Sequence, residues 1–234
     1  MSPRYAVYFA PPPDTLLWQL GSRWLARDAQ RDCALEQPRP PTAPAAWVRQ
    51  ITATPRRYGF HATLKPPFVL NTDVEEHTLH AQLAAFAARC TPFALPRLEV
   101  ESLSGFLALR PAAACDALDA LARDCVTQLD RLRAPASREE LARRRAAGLS
   151  ARQEALLARY GYPYVLDEFR FHMTLTERLP DEPSQTLRRW LAGYFEAALA
   201  QPSVVDAVCL FVQAGPGRAF RLAKRYAFLA NPSC

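Results

Sequence analysis

Apolar and polar residues alternate over two short stretches that read almost alike: Phe60-His61-Ala62-Thr63-Leu64 and, 111 residues later, Phe171-His172-Met173-Thr174-Leu175. Period-two alternation marks a strand, whose successive side chains point to opposite faces. The first copy therefore predicts His61, Thr63 and Lys65 on one face, with Phe60, Ala62 and Leu64 on the other. In the second, Arg170, His172, Thr174 and Thr176 share a face opposite Phe169, Phe171, Met173 and Leu175. Each strand has one face apolar enough to seal against a core and one that offers polar groups to a ligand.

The surrounding pattern repeats as well. Residues 4–10 read as a strand, and residues 14–27 place Leu16, Leu17, Leu20, Trp24 and Leu25 at helical spacing. A Pro-rich loop over 37–44 leads to the first motif. After it, residues 73–76 carry the cap and charge pattern of a helix start, continued by Leu79, Leu83, Phe86 and Cys90, and residues 98–110 read as a hairpin turning at Ser104-Gly105. The second motif is followed by the same series: a helix over 184–199, then strands over 204–212 and 220–229 joined through Gly215-Pro216-Gly217. Strand, helix, hairpin thus occurs twice, and two such lobes about a pseudo-twofold axis would bring both histidines into one cleft.

The predicted fold class is α+β: a single bilobal domain over 1–234, with two antiparallel sheets facing a central cleft and helices packed outside. The N-terminal lobe spans about 1–112, a helical connector about 113–166 and the C-terminal lobe about 167–234. The connector begins with a helix that aligns Leu118, Leu121, Cys125, Leu129 and Leu132. Two shorter helices follow, with Ser137-x-x-Glu140 and Ser150-x-x-Gln153 resembling capping boxes and Gly148 and Gly161 as stops. Arg143-Arg144-Arg145 reads as a solvated helix face.

With 234 residues, half of them hydrophobic, the chain can bury a sizeable core, and its net charge of +6 favours anionic partners. The apolar run at residues 5–10 is too short for a signal-peptide core, and no transmembrane stretch follows, so a cytoplasmic location and no membrane partner are expected. Six cysteines, without CxxC spacing, read as reduced and mostly buried thiols. His77-x-x-His80 with Glu75 and Glu76 lacks a third ligand group at recognisable spacing. Tyr8, Tyr58 and Phe106 read as core aromatics.

Histidine gives or takes a proton near neutrality, so two facing imidazoles can divide acid and base work. Opening a cyclic phosphodiester needs that division, since one group deprotonates the attacking water while the other protonates the departing sugar oxygen. His61 and His172 are the catalytic candidates. Thr63 and Thr174 are candidates for binding the phosphate oxygens, and Lys65, Arg57 and Arg170 for gripping the rest of a substrate.

Two His-x-Thr-Leu motifs in symmetric halves resemble the two-histidine (2H) phosphoesterase superfamily, which includes cyclic nucleotide phosphodiesterases and RNA 2′,3′-cyclic ligase-like enzymes. The longer stretches over 56–65 and 161–175 resemble a narrower group, the phosphonate-metabolism proteins of bacterial carbon-phosphorus lyase operons. The similarity covers nearly the whole chain. It implies a bilobal fold, catalysis by His61 and His172 with Thr63 and Thr174 on the phosphate, and no metal or other cofactor. It also implies a small phosphorylated substrate, with 5-phosphoribosyl 1,2-cyclic phosphate the choice that suits the operon context. RNA is the second possible partner, through 2′,3′-cyclic end processing, and a non-catalytic phosphate or nucleotide sensor is the rival from another class.

Overall fold

The computed structural model describes residues 2–146 and 148–229. The chain runs from β1 (Arg4–Phe9) through α1 (Leu16–Trp24), the short ladder of β2 (Arg27–Asp28) and β3 (Cys33–Ala34), and helices α2 (Ala45–Ile51) and α3 (Ala53–Tyr58) to β4 (Ala62–Phe68). Helix α4 (Glu76–Ala87), β5 (Phe93–Ala94) and the hairpin of β6 (Leu98–Leu103) and β7 (Phe106–Pro111) follow. The connector holds α5 (Asp116–Gln128), α6 (Arg138–Arg145) and α7 (Ala151–Tyr160). The chain then forms β8 (Met173–Arg178), α8 (Asp181–Leu199), β9 (Val204–Val205) and the hairpin of β10 (Ala207–Gln213) and β11 (Arg221–Ala227), with β9 pairing back to β5.

The architecture is α+β and antiparallel, as the pattern predicts. Seven strands run in the order β11-β10-β1-β4-β8-β7-β6. Among the described residues, the strand pairing between the four-stranded and three-stranded halves is the pair Ala62↔Met173, the residues that immediately follow the two histidines. The lobes are not consecutive in the chain, however. The hairpin after the first motif pairs with β8, while the hairpin after the second pairs with β1 beside the first motif. Segments 1–112 and 167–234 therefore each supply strands to both halves.

Local signals explain most of the elements. Thr15 caps α1 by accepting the Trp18 N–H, and Ser150 with Gln153 completes a reciprocal capping box on α7. Ser104 and Gly105, both at positive φ, form the two-residue turn between β6 and β7. Helix α8 begins at Asp181, before its predicted start, and no side chain caps α4 at Glu75. Trp24, fully buried on α1, donates its indole N–H to the Leu175 carbonyl at 2.8 Å and ties that helix to β8.

One contiguous core fills the space between sheet and helices, and a second small cluster of Val126, Leu156 and Val165 sits under the connector. Of the cysteines, Cys125 and Cys209 are buried, Cys90 and Cys115 half-buried and Cys33 exposed, so the thiols are less buried than expected. Cys234 lies outside the described residues. Among the described residues no helix is long and apolar enough to cross a membrane.

Candidate active site

The two histidines are held in the same way. The Nδ1–H of His61 donates to the Gly59 carbonyl at 2.9 Å, and that of His172 to the Arg170 carbonyl at 2.7 Å, in each case two residues upstream. A carbonyl can only accept, so the proton of each neutral ring stays on Nδ1 and Nε2 carries the lone pair. Gly59 has φ of 81°, and a Cβ there would lie 2.5 Å from that of Ala29. The carbonyl that orients His61 is thus presented by a turn that only glycine fits.

His61 Nε2 sits 3.3 Å from Thr63 Oγ1. Thr63 in turn lines a cavity of about 320 Å³ whose wall includes His172, Arg170, Phe106, Tyr162, Tyr164 and Arg178. The two imidazoles feel each other, since His172 helps to lower the pKa of His61. Tyr8 is buried and stacks on His61, with ring centroids 3.8 Å apart, and Phe106 packs beside His172 at 5.5 Å. These two aromatics support the histidines rather than merely filling core, and a period-two pattern carries no sign of that.

The remaining candidates divide. Arg170 reaches the cavity wall, its guanidinium donating to the Asp167 and Phe169 carbonyls. Thr174 is half-buried opposite Ala108 and does not line the cavity. Arg57 is exposed on α3 rather than on a strand, with its carbonyl accepting the Phe220 N–H at 2.7 Å.

Lys65 lies on the wrong side of the strand. Tyr8 pairs with Thr63 but Val7 with Lys65, so Leu64 is an extra residue, and this bulge turns Lys65 away from the cleft. Its ammonium is buried under α5, where it donates to the Val126 carbonyl at 3.3 Å and to Asp130 at 3.4 Å. Burial brings its pKa down to about 8 against the opposing pull of Asp130. Asp130 also holds Arg133, which donates to the Arg159 carbonyl, so Lys65 moors the motif strand to the connector.

On β8, the Thr176 hydroxyl is buried and accepts the Leu107 N–H where the β7 register shifts. Glu177 accepts from the N–H and hydroxyl of Thr54, tying α3 to β8. His77 pairs with Glu75 at the surface and His80 shares a hydrogen bond with the Tyr226 hydroxyl, so that pair takes no part in the cleft.

Burial pushes the His61 pKa down to about 4, outweighing the Gly59 bond, and lowers that of His172, where nearby Arg110 adds to the effect. Below pH 6.5 the unfolded chain protonates this position while the folded chain does not until about pH 4. Stability is therefore complete above pH 6.5 and falls as the pH drops through that window, by about 2 kcal/mol after allowing for partial exposure. Urea melts of wild type and His61→Phe between pH 7.5 and 4.5 should show the variant losing less; parallel losses would exclude this linkage.

Two imidazoles, each held through Nδ1 by a carbonyl two residues upstream and each preceding the residue pair that joins two antiparallel half-sheets, define the class: an α+β fold with paired histidines at its sheet junction. The chain belongs to the family described as Protein of unknown function (DUF1045), whose profile matches residues 63–221. It is 42% identical over 221 residues to a protein of Janthinobacterium sp. (strain Marseille) named ribose 1,5-bisphosphate phosphokinase PhnN, covering 93% of this chain and 49% of that one. A protein of the same name from Laribacter hongkongensis (strain HLHK9) is 42% identical over 226 residues, covering 94% and 51% respectively. The chain thus spans about half the length of these curated relatives. Among solved structures, E. coli LigT complexed with 3′-AMP matches with a TM-score of 0.46 at 15% identity, over 98% of this chain and 100% of that one. A phosphoesterase matches with a TM-score of 0.45 at 17% identity, over the same shares.

Proposed function

We propose that the protein is a two-histidine phosphoesterase that opens a cyclic phosphate on a single ribose. The observation that carries this reading is one cavity walled by both His172 and the threonine that contacts His61 Nε2. His61, kept neutral by burial, is the base. It takes a proton from water as the water oxygen attacks phosphorus, while Thr63 donates to a non-bridging oxygen whose charge grows. His172 is the acid, delivering its Nε2 proton to the departing ribose oxygen. Burial lowers the pKa of both rings, and the anionic phosphate is what raises His172 into its protonated form. Arg170 and Arg178 on the cavity wall add positive charge for that anion.

The substrate that fits best is 5-phosphoribosyl 1,2-cyclic phosphate. Water attack with cleavage of the bond from phosphorus to O2 yields ribose 1,5-bisphosphate, the compound named in the two relatives of twice this length. Purified protein with EDTA, followed by phosphorus NMR, should convert this substrate to ribose 1,5-bisphosphate faster than it opens a 2′,3′-cyclic nucleotide. Formation of the 2,5-bisphosphate would reverse the assigned leaving oxygen. Faster opening of the nucleotide would move the substrate to RNA ends, and turnover of neither would refute the reading.

A further inference from the structure

We propose that Tyr162, braced by Arg144, determines the length of substrate that the cleft admits, restricting it to a single sugar. This deepens the reading above and rests on it. The triple-arginine run is not the uniform solvated face that its sequence suggests. Arg143 and Arg145 have side chains 71% and 50% exposed, but that of Arg144 is only 19% exposed. Its guanidinium lies 4.5 Å over the Tyr162 ring, one terminal nitrogen donates to Glu140 at 2.8 Å, and its Nε is buried without a hydrogen-bond partner. A buried N–H left unpaired opposes this placement, which the contact with the ring and the pair with Glu140 together favour.

The brace works because the connector has its own anchorage. Tyr162 packs on the satellite cluster of Val126, Leu156 and Val165, separate from the main core. Arg145 with Glu154 and Arg152 with Asp167 pin its helices, each at 2.5 Å. Gly161 ends α7 with φ of 71°, in a turn so close to Arg133 that a Cβ would lie 3.0 Å from that guanidinium. The turn delivers Tyr162 into the same cavity wall as Thr63 and His172. Tyr164 packs edge-on against it at 5.7 Å and is 44% exposed, so it forms the outer rim. A cavity of about 320 Å³ is at the small end for ligand sites, and Tyr162 is one of the bulky side chains that wall it and so limit how much of a longer substrate it can hold.

The test compares kcat/KM for a single-ribose cyclic phosphate and for a trinucleotide ending in a 2′,3′-cyclic phosphate. Tyr162→Ala should lower the short-to-long ratio at least tenfold, whereas Tyr162→Phe should keep it. Arg144→Ala should lower it in the same direction, with partial recovery in Arg144→Lys, which retains a cation over the ring. A ratio unmoved in Tyr162→Ala, or parallel losses on both substrates, would overturn the assignment. Should the wild type open neither ring, the phosphoesterase reading fails on its own, and calorimetry with ribose 5-phosphate and a 3′-phosphorylated trinucleotide decides this one. A shift of the affinity ratio toward the longer ligand in Tyr162→Ala sustains it; an unchanged ratio, or no binding of either ligand to wild type, refutes it.

Discussion

His172→Ala should lower the rate of ring opening about 10³-fold, within the range that a positioned acid or base contributes, while its thermal melt stays close to that of the wild type. The ring is half-buried at the cavity wall, so little core packing is lost with it. The role assigned to it makes a sharper demand. An acid is needed only when the leaving oxygen is a poor one, so a 4-nitrophenyl ester should be cleaved by His172→Ala at a rate near that of the wild type. His61→Ala should remain slow on both esters, because the attacking water still needs its base. Rescue of His61→Ala instead would exchange the two roles, and rescue of neither would remove the division of labour.

Gly21→Ala should cost roughly 3 kcal/mol of stability and lower the melting temperature by roughly 6–12 °C. Alanine is normally the better helix former, so the sign runs against propensity. Gly21 is buried on α1, and a Cβ there would lie 2.3–2.4 Å from three atoms of the Phe60 ring. Phe60 cannot move aside, because it is fully buried and stacked on Phe195 with centroids 6.3 Å apart. It also precedes His61, so the strain should reach the imidazole and depress turnover as well. A melt unchanged or raised would show that the ring has room to shift.

Much of this was legible along the chain because strands, turns and caps are local. Ser104-Gly105 signals its own turn, Ser150 its own cap, and the doubled His-x-Thr motif its own pair of strands. The two histidines immediately precede Ala62 and Met173, the pair at which the two half-sheets join. Non-local features stayed hidden. Alternation places Lys65 beside Thr63, but the bulge at Leu64 depends on how β1 pairs with β4, and that reverses its direction. Arg57 looks like a strand extension until Ala53–Tyr58 closes into a helix. Arg144 matches its neighbours in charge and differs only because its helix turns it toward Tyr162. Which hairpin joins which half-sheet is equally invisible, since either choice satisfies the same alternation.

That choice shapes what the molecule can be divided into. Each motif segment lends its hairpin to the strands around the other motif, so neither half of the chain can complete a sheet from its own strands. A single copy of the repeated unit could close its hydrogen-bond ladders only by trading hairpins with a second copy, as in a domain-swapped homodimer. Apart from β1, which has no counterpart in the second half, the chain is laid out like such an intertwined pair made continuous, with the connector as the covalent bridge. Once joined, the two histidines no longer have to be identical in surroundings: one could sink beneath Tyr8 while the other stayed at the cavity wall, an asymmetry that a symmetric dimer forbids.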